Sequence, residues 1–240
     1  MNVSEMHRNW NNLANQDAKW AILTHADKKN NQWNTQEFFQ TGQDEVNRDL
    51  NYLAGLDIHI EFGRALDFGC GIGRLTQALA DHFREVHGVD VSSAMIDQAN
   101  GYNAHPDTVK YFVNTQGNLT TLDKFEYDFV YSLICLQHIP TPYQEIYISE
   151  FMRLLKYGGI AMFQVIHAIS WRKLLPNFMI EAYRHFRYKE QAYIPIYGIN
   201  PNIIKKIAKR HHCTLQNHVT RPYDSYANRW IIDTYIVLKS

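Results

Sequence analysis

The amino-acid sequence predicts an α/β protein with a doubly wound, mainly parallel sheet. Short β-rich runs and helical patterns alternate from residue 64 onward, which is typical of strands joined by crossover helices. The first β-rich run passes directly into a glycine-rich turn and a helical pattern, in "ALDFGCGIGRLTQALA" at residues 65–80. With 240 residues, the chain is long enough for one large α/β domain that buries a proper core.

The predicted core elements follow one another from residue 64 to residue 166. Strands are predicted in "RALDFG", "EVHGVDV", "VKYFVNT", "YDFVYSLI" and "GIAMFQVI". Helices are predicted in "GRLTQALADHF", "SSAMIDQAN" and "PYQEIYISEFMRLL". The glycine-rich turn then lies beyond the carboxyl end of strand one, near a topological switch point. Open α/β sheets bind their ligands at such a point.

The C-terminal part of the chain has a different pattern. A helix is predicted in "NPNIIKKIAKRHH", with Asn200 as its cap and Pro201 at its first position. Two strands follow, "CTLQNHVTR" and "RWIIDTYIVLKS", separated by the polar loop "PYDSYAN". Two late strands joined by a short loop predict an antiparallel edge of the sheet.

Two segments fall outside the alternating core. Residues 1–45 are polar with interspersed aromatics, and residues 168–199 form an insertion rich in Trp, Phe, Tyr and Arg. Such segments are natural lids over the carboxyl face of a sheet, and the alternative is an ordinary packed flap. The predicted organisation is an N-terminal lid or helical extension at 1–45, followed by a Rossmann-like domain at 46–240 with a substrate-cap insertion at about 168–199.

Composition and charge exclude several functional classes. The 24 basic and 24 acidic residues balance, so no basic footprint indicates a nucleic-acid partner. The start of the chain has no apolar export signal and no apolar run approaches the length of a membrane span, so a cytoplasmic protein without a membrane partner is expected. The three cysteines are widely separated in apolar context and are interpreted as reduced packing residues. The twelve histidines show no metal-ligand spacing, and no metal is expected.

The glycine-rich turn is interpreted as a cofactor cradle. Gly69, Gly71 and Gly73 read G-x-G-x-G, which departs from the dinucleotide pattern G-x-G-x-x-G, and Asp67 lies two residues before the first glycine. Glycine allows positive φ and close approach of a ligand, and the following helix presents free N–H groups at its start. The alternative is an ordinary tight loop.

An acid at the end of the second predicted strand complements this turn. Asp90 follows the glycine turn at the distance where an acid accepts hydrogen bonds from ribose hydroxyls, and the alternative is that it only caps the next helix. Val91, Met95 and Leu119 can supply apolar faces for an adenine. Asn118 can offer an amide to its polar edge.

Several segments together resemble the class I S-adenosylmethionine-dependent methyltransferases. The resemblance covers about residues 60–165 and is carried by "ALDFGCGIGR", "HGVDVSSAMIDQA", "GNLTTL", "FEYDFVYSLICLQHIP" and "FMRLLKYGGIAMFQV". Tyr157 stands where the family usually has proline, and Asn118 where aspartate is commoner. The resemblance implies a seven-stranded sheet whose last strand is antiparallel. It also extends loosely to the N-terminal aromatics, which look like the lid of small-molecule methyltransferases.

The resemblance implies S-adenosylmethionine as the cofactor. Asp67 would face its ammonium group, directly or through water, and Arg74 would help to hold its carboxylate. The alternatives for Arg74 are packing across the lid and a solvated surface charge. The predicted cofactor-binding residues are Asp67, Gly69, Cys70, Gly71, Gly73, Arg74, Asp90, Val91, Met95, Asn118, Leu119, Ser132 and Gln137.

His138, just beyond the fourth predicted strand, is the candidate catalytic residue. Its imidazole can take the proton that a hydroxyl acceptor must lose, and the alternative is a helix-start residue ahead of Pro140. The expected function is methyl transfer to a hydroxyl or amine of a small molecule, a secondary metabolite or sugar-like compound. A nicotinamide-dependent oxidoreductase and a non-catalytic cofactor-binding protein stay open as alternatives. Basic residues of the insertion could admit an acidic substrate; they are Arg172, Lys173, Arg184, Arg187 and Lys189.

Overall fold

A seven-stranded mixed sheet forms the centre of the structure, a computed structural model that describes residues 1–168, 194–222 and 230–240. The strand order is β3-β2-β1-β4-β5-β7-β6. The strands are β1 (Arg64–Phe68), β2 (Glu85–Asp90), β3 (Val109–Val113), β4 (Tyr127–Ser132), β5 (Leu155–Ala168), β6 (Cys213–Pro222) and β7 (Trp230–Lys239).

The first five strands pair in parallel, and β7 lies antiparallel between β5 and β6. The predicted sheet of seven strands with an antiparallel last strand is therefore confirmed. Every residue of β4 is buried, as expected for a central strand covered on both faces. β5 begins at Leu155 and ends at Ala168, beyond the predicted "GIAMFQVI", because β7 pairs with it continuously from Ile160 to Ala168.

Helices cover both faces of the sheet and its carboxyl edge. They are α1 (Val3–Ile22), α2 (Thr35–Gly55), α3 (Arg74–Ala80), α4 (Ser93–Tyr102), α5 (Thr141–Leu154) and α6 (Pro201–Arg210). One apolar core joins the sheet to α5 and α6, and a second joins the opposite face to α2 and α3. A third apolar cluster lies under α1, where it includes Ile72 of the glycine turn and Met95 of α4.

The strand order reverses between β1 and β4, which are neighbours although β2 and β3 separate them in sequence. The connections after β1 and after β4 therefore leave the sheet in opposite directions and open a crevice at its carboxyl edge. The glycine turn follows β1 at this point, as predicted, and a short 3-10 turn, Leu136–His138, follows β4.

Helix α1 is docked on the domain by a shared cap. The Asn11 Oδ1 atom accepts hydrogen bonds from the Ser92 hydroxyl at 2.6 Å and from the Ala94 N–H at 3.1 Å. Since Ser92 is the N-cap of α4, Asn11 satisfies an N–H that the helix itself leaves unpaired. α1 is kinked at Asp17, whose carboxylate accepts from the N–H groups of Trp20 and Asn31.

Some predictions concern parts of the chain that lie outside the described residues. Most of the substrate-cap insertion, with its basic residues 172–189, falls there, and so does the loop at 223–229. The predicted boundary at residue 45 falls inside α2, which continues to Gly55. Among the described residues, no helix is long and apolar enough to cross a membrane.

We expect Asn11→Ala to loosen α1 from the domain. The substitution removes the acceptor for a hydroxyl and for a helix-start N–H, which lowers the free energy of unfolding by about 1–2 kcal/mol. Urea unfolding measures this loss, and limited proteolysis shows whether the N-terminal segment is cleaved faster. Asn12→Ala, at an exposed neighbouring position, is the matched control. Equal stability of the two variants would show that the shared cap does not hold α1.

Candidate functional site

A cavity lies at the carboxyl edge of the sheet, where β1 and β4 diverge. Its floor is the glycine turn, its sides are the segments after β2 and β4, and α1 covers it. The space between the lining atoms, counted out to the open mouth, is about 910 Å³. The lining residues are Met6, Trp10, Ala21, Ile22, Phe68, Gly69, Cys70, Gly71, Arg74, Leu75, Val89, Asp90, Val91, Met95, Asn114, Leu133, Ile134, Cys135, His138, Ile139 and Tyr147.

The three glycines of the turn all have positive φ, with values of 78° at Gly69, 52° at Gly71 and 87° at Gly73. Each also faces a neighbour that a Cβ atom would meet. At Gly71 that neighbour is the Ile22 side chain of α1, whose Cδ1 would lie 2.6 Å away. At Gly69 it is the Cys135 thiol. Both the backbone and the packing therefore require glycine at these positions.

Asp90 ties the glycine turn to the end of β2. Its Oδ2 atom accepts a hydrogen bond from the Gly71 N–H at 2.9 Å, and its Oδ1 atom accepts from the Ser92 N–H at 2.8 Å. Ser92, not Asp90, is the N-cap of α4, with its hydroxyl oxygen accepting from the Met95 N–H. The alternative that Asp90 caps this helix is therefore wrong. Burial raises the pKa of the Asp90 carboxyl.

Asp67 lies beneath the turn and not on the cavity wall. It is 1% exposed, and its Oδ2 atom accepts a hydrogen bond from the Thr76 hydroxyl at 2.6 Å. Burial raises the pKa of this carboxyl to about 7, although the Thr76 hydrogen bond and the Arg74 charge act in the opposite direction. A positive charge placed nearby would favour its ionised form.

Arg74 lines the cavity from the start of α3. It is 3% exposed, which excludes the alternative of a solvated surface charge. One terminal nitrogen donates to Glu45 at 2.7 Å and the other to the Thr41 hydroxyl at 3.3 Å. Both partners belong to α2, so the predicted lid segment contacts Arg74 directly.

His138 ends the 3-10 turn after β4 and also lines the cavity. Its Nδ1 atom lies 2.6 Å from the Pro195 carbonyl oxygen, which can only accept, so Nδ1 carries the proton. Nε2 is then the acceptor, and the Gln137 side-chain amide donates to it at 3.3 Å. The Trp10 ring packs against the imidazole at 5.5 Å. Burial lowers the pKa of His138 to about 4, so the ring is neutral at pH 7.

Several predicted cofactor residues do not reach the cavity. Leu119 is fully buried in the apolar core, and the Asn118 side chain accepts from the Thr120 hydroxyl at 3.0 Å. The Ser132 hydroxyl donates to the Phe68 carbonyl oxygen and joins β4 to β1. Gly73 and Gln137 serve the site indirectly, as the cap of α3 and as the hydrogen-bond partner of His138.

The structure adds lining residues that the sequence analysis missed. Asn114 directly follows β3 and lies beside Asp90, the last residue of β2, and this place at the carboxyl end of a strand is a signal that could have found it. Its side-chain amide donates to the Asn118 carbonyl oxygen at 2.9 Å, which shapes the loop beside the cavity. Met6 and Trp10 come from α1, whose apolar pattern does not reveal what it covers.

The cavity is mainly apolar, and the acidic and basic side chains that line it are Arg74, Asp90 and His138. Such a site suits a ligand with an apolar or aromatic body and a few polar groups. Within the described residues, no three His, Cys, Asp or Glu side chains come together in a way that could hold a metal ion. The cysteines Cys70, Cys135 and Cys213 are free thiols, as predicted.

The sequence of the chain is similar to known methyltransferases. Residues 65–159 match the family model described as a methyltransferase domain. The ubiquinone biosynthesis O-methyltransferase of Coxiella burnetii is 34% identical over 105 residues, which cover 42% of this chain and 43% of that protein. The protein of the same name from Alkalilimnicola ehrlichii is 32% identical over 119 residues, with 49% and 47% covered. The chain therefore spans less than half the length of these curated relatives.

Solved structures of similar fold include magnesium protoporphyrin IX methyltransferase from Synechocystis PCC 6803 with bound SAH. It has a TM-score of 0.66, 18% identity and 99% of both chains covered. An S-adenosylmethionine-dependent methyltransferase from Clostridium acetobutylicum has a TM-score of 0.57 and 14% identity, with 89% of this chain and 96% of that one covered. The resemblance to class I methyltransferases that the sequence predicts is confirmed, and the fold extends over nearly the whole chain.

We expect His138 to make the stability of the protein depend on pH. Its pKa is about 4 when folded against about 6.5 when unfolded, so the unfolded chain binds an extra proton between these values. The free energy of unfolding therefore has its full value above pH 6.5. It falls by about 3 kcal/mol as the pH is lowered to 4. Urea unfolding of wild type and His138→Gln between pH 4 and 7.5 measures the difference. His59→Gln, at an exposed histidine, is the control. Parallel stability curves for wild type and His138→Gln would contradict a buried neutral imidazole.

Proposed function

We propose that this chain is an S-adenosylmethionine-dependent methyltransferase that acts on a hydroxyl or amine group of a small molecule. The observation that carries the proposal is the convergence of three features at the switch point of the sheet. They are the positive-φ glycine turn, the Asp90 carboxylate hydrogen-bonded to it, and the buried Arg74 guanidinium. The match of residues 65–159 to a methyltransferase domain supports it.

The residues at the cavity fit this cofactor. Gly69 and Gly71 line the cavity with backbone alone, and the Nε–H of Arg74 is buried with no hydrogen-bond partner among the described residues. Arg74 would hold the cofactor carboxylate. The Asp90 oxygens accept from backbone N–H groups, and a carboxylate has acceptor capacity left for a ribose hydroxyl. Val91 and Met95 would pack against the adenine.

Asp67 would respond to the ammonium group of the cofactor. It lies behind the cavity wall, so its role is electrostatic or passes through a water. Its pKa of about 7 lies well above the ordinary value for an aspartate side chain. An ammonium group nearby lowers that pKa and releases the proton, and the attraction between the two charges then favours binding.

When bound, the cofactor supplies an electrophilic methyl group on a sulfonium centre. The chain's own contribution is to position the acceptor and to exclude water. Trp10 and Met6 of α1 cover the cavity, and apolar side chains line most of it. Orientation alone provides effective molarities of roughly 10⁵–10⁸ M, so much of the acceleration needs no dedicated catalytic group.

His138 would accept the proton of a hydroxyl acceptor. Its neutral form and its Nδ1 proton make Nε2 the accepting site, where an acceptor hydroxyl would replace the hydrogen bond from the Gln137 amide. Because its pKa is only about 4, it is a weak base, which suits an acceptor hydroxyl that is itself acidic. The relatives named above are O-methyltransferases, which favours oxygen over nitrogen as the acceptor atom. The cytoplasmic location and the absence of a nucleic-acid partner stay predictions.

We expect S-adenosylhomocysteine to bind the wild-type protein in calorimetry and NAD to give no signal. Asp90→Ala should weaken S-adenosylhomocysteine binding by about 1–3 kcal/mol, because ribose hydroxyls lose their buried acceptor. Asp97→Ala, at an exposed position of α4, is the matched control and should bind normally. Binding of NAD without S-adenosylhomocysteine would overturn the proposal and favour the oxidoreductase alternative.

For a hydroxyl acceptor, His138→Gln should lower kcat by roughly 10²–10⁴ and hardly change the affinity for S-adenosylmethionine. Glutamine keeps polarity and approximate reach but cannot take a proton. Single-turnover methyl transfer between pH 4 and 9 is the measurement, with an acceptor found by screening metabolites. The wild-type rate should fall on the acid side only near pH 4, where the imidazole becomes protonated. A variant as fast as wild type would leave His138 a structural residue.

A further inference from the structure

Helix α2 fixes the orientation of the Arg74 guanidinium. Glu45 Oε2 accepts from one terminal nitrogen at 2.7 Å, and the Thr41 hydroxyl accepts from the other at 3.3 Å. The Arg74 side chain is 4% exposed and that of Glu45 is 17% exposed, so solvent screens this ion pair little. Gly42 lies between the two α2 partners, and a Cβ there would collide with the Arg74 carbonyl group. Glycine therefore lets α2 approach the start of α3 closely enough for both hydrogen bonds.

Arg74 lines the cavity, and one nitrogen of its guanidinium group has no partner in the part of the chain that the structure describes. Its Nε–H is buried and has no hydrogen-bond acceptor among the described residues, although Arg74 lines the cavity. A buried donor left unpaired costs free energy, and arginine never loses its charge to avoid that cost. An acceptor on a ligand in the cavity would supply the missing partner, and a carboxylate suits the planar guanidinium best.

Glu45 is itself held in place by a network of hydrogen bonds that runs from the exposed Arg48 to the buried Tyr131. Arg48 donates to Glu45 at 3.3 Å and to Asp49 at 2.9 Å, and Asp49 accepts from the Tyr131 hydroxyl at 2.6 Å. Tyr131 belongs to β4, one residue before Ser132 at the carboxyl end of that strand. The chain of contacts therefore runs from the central sheet through α2 to the cavity face of Arg74.

We propose that Glu45 is a positioning residue that aims Arg74 at the carboxylate of the cofactor's amino-acid moiety. The inference rests on the proposed function, because it takes the cofactor to be S-adenosylmethionine. It makes α2, together with the glycine turn and β2, a part of the cofactor site. Charge alone predicts that Glu45 weakens cofactor binding, since its carboxylate repels the incoming carboxylate.

The test compares two ligands that differ only in the carboxylate. The first is S-adenosylhomocysteine, and the second is its decarboxylated analogue, which keeps the adenosine, the sulfur and the amine. Glu45→Leu removes the acceptor while keeping a similar volume, and Glu45→Gln removes the charge but keeps an acceptor oxygen. We expect Glu45→Leu to weaken S-adenosylhomocysteine binding on the order of tenfold and to leave the analogue's affinity unchanged. Glu45→Gln should weaken S-adenosylhomocysteine binding less than Glu45→Leu does.

Two further variants control the experiment. Glu37→Gln removes a carboxylate on the exposed part of α2, where Glu37 forms an ion pair with Lys28. Both ligands should bind this variant as they bind wild type. Arg74→Met should show the same selective loss as Glu45→Leu, and combining the two substitutions should add little. Binding of the decarboxylated analogue also reports that each variant is folded.

The outcomes separate this inference from the proposed function. Equal weakening of both ligands in Glu45→Leu would mean that Glu45 only stabilises the fold, and it would overturn the positioning role. Unchanged or tighter binding of S-adenosylhomocysteine would overturn it as well, since the charge would then outweigh the orientation. If the wild-type protein binds neither ligand, the proposed function fails and the inference fails with it.

Discussion

The hydrogen bond from the Gly71 N–H to the Asp90 carboxylate is the contact on which the site depends. It joins the turn after β1 to the end of β2, two neighbouring parallel strands at the point where the strand order reverses. The bond forms only because Gly71 has a positive φ and because no side chain there displaces Ile22 of α1. Burial of Asp90 strengthens the bond electrostatically and raises the pKa of the carboxyl.

The N-terminal helices are part of this site and not an appendage to it. α1 covers the cavity with Trp10, its neighbour Asn11 pairs with the cap of α4, and Ile22 packs on the glycine turn. α2 reaches the same turn from the other side through Arg74. A ligand in the cavity therefore contacts α1 directly and α2 through Arg74. These helices give the protein a way to enclose the ligand and exclude water.

Burial creates different electrostatic conditions at the titratable groups of the site. It raises the pKa of Asp67 to about 7 and lowers that of His138 to about 4, so both groups are less charged than they would be in water. The Arg74 guanidinium forms an ion pair with Glu45. The site thus holds a fixed positive group, a carboxyl that a cation can ionise, and a neutral imidazole. This arrangement complements a zwitterionic ligand and leaves an acceptor for a proton.

Local patterns in the sequence were enough to predict the sheet, the glycine turn and the position of Asp90, because β-rich runs, clustered glycines and an acid at a strand end lie close together along the chain. Which side chains share the cavity depends on how the elements pack. Leu119 and Ser132 lie on the right segments, but one faces the core and the other bonds to β1. Glu45, Trp10 and Pro195 meet Arg74 and His138 across long stretches of chain. No local pattern records such contacts, since they arise only when separate helices pack on the finished sheet and exclude water.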